Sequence, residues 1–67
     1  MARAPVVVYP PSEGGGRRVR VGSELLGMAF GPSDLLEFLR RAGLDPDEVD
    51  LEGPLIEWRG GGPETWR

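Results

Sequence analysis

The spacing of apolar positions changes twice along this 67-residue chain, and each change marks an element. Val6-Val7-Val8-Tyr9 is a short run of β-branched and aromatic residues, which predicts a strand over 5–9. Pro5 and Pro10 flank it, and a proline cannot donate to a ladder, so the expected place is a sheet edge. Residues 10–16, Pro-Pro-Ser-Glu-Gly-Gly-Gly, read as a loop. From Arg17 the pattern alternates polar and apolar through Val21, the period of a half-buried strand. Gly22-Ser23 suits a two-residue type II′ turn, and 24–30 returns as a third strand. With that turn, Val21 faces Glu24, Arg20 faces Leu25 and Val19 faces Leu26. Val19, Val21, Leu26 and Met28 then share one face with Phe30 next in line, while Arg18, Arg20 and Leu25 lie on the other.

The period lengthens after Gly31. Leu35, Phe38, Leu39 and Ala42 recur at helical spacing, widened by Leu36, and predict a helix over 32–42. Its N-cap is Ser33, or Gly31 with Pro32 at the first helical position. Asp34 suits the positive end of the helix dipole, Arg40 and Arg41 suit the other, and Gly43-Leu44 is a Schellman stop. Asp45-Pro46-Asp47-Glu48 supports one more short turn through Val49. Leu55 to Arg59 reads as a last short strand with Ile56 and Trp58 on one side, ended by Gly60-Gly61-Gly62-Pro63.

These elements define an α+β domain: a three- to four-stranded, mainly antiparallel sheet in β-β-β-α-β order, with one helix on one face. The segment 31–54 is long enough for a crossover, which lets the last strand run parallel to the third. Residues 1–4 form a disordered N-terminus, 5–59 the domain, and 60–67 a Gly-rich tail whose apolar anchor is Trp66. Economy of burial predicts that Trp66 folds back onto the sheet. The expected core is Val7, Val19, Val21, Leu26, Met28, Phe30, Leu35, Phe38, Leu39, Ala42, Leu44, Ile56 and Trp58. The spacing of strands, helix and Gly-rich tail resembles that of small bacterial proteins, but no motif carries a function across.

Composition narrows the chemistry. Apolar residues make up 39% of a chain that buries only about 60% of its unfolded surface, so the core is one layer thick and leaves no room for a deep pocket. There is no Cys, hence no disulfide, thiolate nucleophile or zinc site of the usual kind. There is no His, the commonest general base and metal ligand, and no Lys. The three serines therefore have no activating partner. No catalytic residue, metal ligand, cofactor or small-molecule substrate is expected. Nothing approaches a membrane span or a signal peptide, and the default location is cytoplasmic. All eight positive side chains are Arg, which we attribute to a GC-rich coding sequence.

Candidate chemistry is sparse. The acids Asp45, Asp47, Glu48, Asp50 and Glu52 lack the ligand spacing of a calcium loop. Gly14-Gly15-Gly16-Arg17-Arg18 leads into a strand, where a phosphate cradle needs a helix. Charge is separated along the chain, however. The net charge is −3 overall, with Arg17, Arg18 and Arg20 clustered early and the acids clustered after 44. Trp58-Arg59 and Trp66-Arg67 combine residue types favoured at binding hot spots. The candidate binding residues are therefore Arg17, Arg18, Arg20, Trp58, Arg59 and Trp66. The expected function is a non-catalytic protein–protein interaction module, including self-association. The alternative is a nucleic-acid-binding regulator built on the arginine hairpin, opposed by the acidic balance.

Overall fold

A computed structural model of the chain describes residues 5–67. It contains a four-stranded mixed sheet, with β1 Val6–Pro11, β2 Arg17–Val21, β3 Glu24–Ala29, helix α1 Pro32–Arg41, a 3-10 turn Pro46–Glu48 and β4 Ile56–Trp58. Their order in the chain is β-β-β-α-β, and in the sheet it is β3-β2-β1-β4. β1 pairs antiparallel with β2, β2 antiparallel with β3, and β1 parallel with β4. β3 and β4 therefore run in the same direction at opposite edges, and the segment carrying α1 crosses between them. The expected disorder of 1–4 lies outside the described residues.

Leu35 and Leu39 of α1 are fully buried against Val6, Val8, Val19, Ala29 and Ile56 on one sheet face. β1 is interior, contrary to the edge position that its prolines suggest. The ladder geometry explains why they are tolerated. β4 pairs only with Val6, Val7 and Val8. The β1–β2 register shifts between Val8 and Pro11. Pro10 and Pro11 thus lie beyond the end of β4 and at an irregularity, where no ladder donor is required. Val7, expected beneath the helix, is buried on the opposite face, because alternation gives the helix side to Val6 and Val8.

The hairpin turn is at Gly22-Ser23, with the positive φ of 60° at Gly22 that a II′ turn needs. Val21 faces Glu24 and Arg20 faces Leu25 as expected, but Val19 faces Gly27 rather than Leu26. A bulge at Leu26 shifts every later pair by one. Next to it Gly27 holds φ 143°, a backbone conformation strained for any residue with a side chain, with the Phe38 ring in van der Waals contact above it. No residue with a side chain takes that place easily.

Past the bulge, Phe30 leaves the expected core and is 64% exposed. Its ring rests on the backbone of Gly16 beside Met28, covering the glycine as an aromatic can in a sheet. Ala42 is also exposed, at the end of the helix. Gly31 is the N-cap, with Pro32 following, and the Asp34 carboxylate accepts from the Phe30 N–H at 3.0 Å. The helix ends in a Schellman motif: Leu44 N–H donates to Leu39 O and Gly43 N–H to Arg40 O. No helix among the described residues is long and apolar enough to cross a membrane.

Candidate functional site

Alternation along β2 sends Arg17 to the helix side of the sheet, in register with Val19 and Val21, and sends Arg18 and Arg20 to the other side. The two destinations are chemically opposite. Arg17 is fully buried. Its Nε donates to Tyr9 O at 2.8 Å, Nη1 to Gly62 O at 2.9 Å and Thr65 O at 2.6 Å, and Nη2 to Arg59 O and Gly61 O, both at 2.8 Å. A guanidinium has five N–H donors, and each has a carbonyl here. Its Cζ lies 5.2 Å from the Trp58 ring centroid and 5.7 Å from that of Trp66. The two indoles meet edge to face at 5.9 Å. Burial lowers the Arg17 pKa, and the nearby Glu64 carboxylate partly offsets this.

This arrangement folds residues 59–66 around one side chain. The glycines supply the turns, with positive φ at Gly60 and Gly61, and the backbone supplies acceptors. Trp66 docks as expected, packing on the core with its Nε1–H donated to Pro63 O, while Trp58 Nε1–H is donated to Leu51 O. Arg17, Trp58 and Trp66 are thus brought together as a structural clasp, with every guanidinium N–H and both indole N–H groups already donated.

The remaining candidates gather on the face that α1 leaves uncovered. Tyr9 follows Val7 on that face of β1, with Arg20 on β2 to one side and Arg59, after β4, to the other. The Arg20 and Arg59 guanidinium carbons lie 5.7 Å and 5.3 Å from the Tyr9 ring centroid. Glu57 pairs with Arg59 at 2.6 Å, and this bond raises the Arg59 pKa. Arg18 is exposed, and Leu25, across from Arg20, is 57% exposed. The Arg20 Nε is buried and has no acceptor among the described residues. Sequence reasoning missed Tyr9. Its position two residues after Val7 was the available signal, since it places the ring among the arginines.

The acidic run belongs to a segment packed on the helix side of the sheet. Val49 and Leu51 pack on the helix-side core, leaving Asp45, Asp47, Glu48, Asp50 and Glu52 exposed. Asp45 and Asp50 accept from the N–H groups of Asp47 and Glu52, which shapes two tight turns. Separately, a groove of about 420 Å³ opens between the 13–16 loop, Phe30 and Trp66-Arg67. No protein-family model, curated protein or solved structure matches the chain.

Proposed function

We propose that this chain is a small non-catalytic protein-interaction module, and that the helix-free sheet face is its docking surface for an acidic polypeptide segment. One observation carries the reading. In a chain of net charge −3, that face carries Arg18 and Arg20 beside an exposed Leu25, and neither arginine has a carboxylate partner among the described residues, while Arg59, paired with Glu57, lies at the opposite sheet edge. A carboxylate matches the guanidinium fork, and Leu25 offers an apolar contact beside it. Exposed ion pairs contribute only about 0–1 kcal/mol each, and burying Leu25 adds about 1.5 kcal/mol, so the contact is weak and salt-sensitive. As part of the proposal, the module works in a bacterial cytoplasm, in keeping with its cysteine-free composition.

Nucleic acid is the second reading, since arginines and an aromatic on a sheet also suit single strands. The two guanidinium groups over Tyr9 occupy the ring positions where a base would stack. The test is an amide chemical-shift titration with a synthetic Glu-rich peptide containing Leu, in parallel with oligo(dT). Saturable shifts at Tyr9, Arg18, Arg20, Leu25 and Arg59 with the peptide, lost in Arg18→Ala/Arg20→Ala, are expected. Shifts with oligo(dT) alone would transfer the face to the nucleic-acid reading, and silence with both probes would end both.

A further inference from the structure

We infer that the acidic segment this face accepts is residues 45–52 of a second copy of the same chain, so that copies join head to tail. The inference rests on the docking surface proposed above and names its occupant. Within one molecule the two patches do not meet. The ion pairs seen among the described residues include Glu37 with Arg40 and Arg41, and Glu57 with Arg59. Among the described residues, Arg18 and Arg20 have no carboxylate partner, and Asp45, Asp47, Glu48, Asp50 and Glu52 have no cationic one.

Placement explains the lack of pairing. Leu51 O is tied to Trp58 Nε1 at 2.7 Å, and Trp58 packs with Val49 and Leu51 on the helix-side core. The acids therefore sit on a segment held on the helix side, away from the face that carries Arg18 and Arg20. Two complementary patches on opposite sides of a rigid body cannot both enter one two-fold interface. They join the front of one copy to the back of the next, which is a heterologous contact that forms rings or open chains. Charge is complementary as well: the 3-10 turn presents Asp47 and Glu48 side by side, with Asp45 and Asp50 fixing the backbone around them.

Sedimentation velocity tests this on the intact chain at salt concentrations of about 20 mM and about 300 mM, where the screening length shrinks several-fold. At low salt the sedimentation coefficient should rise with protein concentration, and association should fall by about tenfold or more at high salt. Two variants give the decisive comparison. Arg18→Ser/Arg20→Ser keeps only the acidic patch, and Asp47→Ser/Glu48→Ser keeps only the basic one. Each should fold with an unchanged circular dichroism spectrum and sediment as a monomer. Mixed in equal amounts, they should form a dimer and nothing larger, because each partner lacks the patch needed for a third.

A wild-type chain that stays monomeric at low salt and about millimolar concentration would overturn the inference, as would a mixture that stays monomeric. Association that persists in both single variants would assign assembly to another surface and overturn it too. The Glu-rich peptide, titrated in the same low-salt buffer, separates the two levels. If it binds while the wild type stays monomeric, self-association fails and the docking surface stands. If the peptide is also silent, both fail.

Discussion

Replacing Arg17 with Lys keeps the charge and about the same reach but removes the fork. The wild-type guanidinium places five N–H groups on five carbonyls, four of them in residues 59–65. An ammonium has three donors, so at least two of those carbonyls lose their partner. Hydrogen bonds to charged groups contribute about 1.5–3 kcal/mol each, which sets the cost of strict retention at about 3–6 kcal/mol. The tail has an escape, because it can undock and return its carbonyls to water. The loss is then capped near the value of the docked tail, in which Trp66 alone buries about 1.5–3 kcal/mol of apolar surface. We expect Arg17→Lys to cost about 2–4 kcal/mol, against a total of about 3–10 kcal/mol for a chain of this length. Arg17→Met, which leaves every carbonyl unpaired, should cost about 3–5 kcal/mol and bring the domain close to unfolding. Urea denaturation followed by circular dichroism gives the free energies. Tryptophan emission should shift to the red in native buffer as Trp66 is released. A Lys variant within about 0.5 kcal/mol of wild type, with unchanged emission, would refute the clasp as the tail's anchor.

Deleting residues 63–67 should likewise lower stability and shift the emission of the remaining Trp58, checked by the same denaturation. Gly43→Ala should lower the denaturation midpoint by about 1 kcal/mol equivalent, because Gly43 holds φ 96° at the Schellman stop. Gly27→Ala should cost about 1 kcal/mol or more, since φ 143° is strained for a residue with a Cβ; an unchanged midpoint would disprove that strain. The hydrogen bond from Arg40, aided by Arg41, lowers the Glu37 pKa. Its contribution to stability is therefore complete above the ordinary carboxylate range and is lost as pH falls through the folded-state titration. Carbon-detected titration of the Glu37 carboxyl should show its midpoint rise toward the ordinary value in Arg40→Ala.

Local pattern carried the reading of elements and failed where long-range geometry decided. The helix, its Gly43 stop and the Gly22-Ser23 turn follow from residues close in sequence, and each is where the pattern puts it. The Leu26 bulge does not, because nothing near Gly27 in the sequence marks it for the positive φ it holds beneath the Phe38 ring. The prolines point β1 to an edge, but their tolerance depends on β4 ending before Pro10, which no local rule states. In sequence, Arg17, Arg18 and Arg20 form one basic cluster. Alternation alone separates Arg17 from the other two, but only the glycine-rich tail, more than forty residues later, explains how a buried guanidinium finds its acceptors. The same parity, followed along β1, would have placed Tyr9 with Arg20.

The clasp and the open face are two sides of the same residues. Tyr9 gives its carbonyl to Arg17 Nε on the helix side while its ring stands among guanidinium groups on the other. Arg59 does the same, with its carbonyl held by Arg17 Nη2 and its side chain over Tyr9 and paired to Glu57. On the helix-free face Val7 is buried, but no helix packs there to hold the polar side chains around it. Fixing two backbone carbonyls from the far side limits how Tyr9 and Arg59 can tilt, at a point where the irregular β1 ladder would otherwise leave them loose. A full set of donors on Arg17 therefore fits a role beyond holding the tail. It sets the geometry of the face proposed above for docking, which the guanidinium itself never touches.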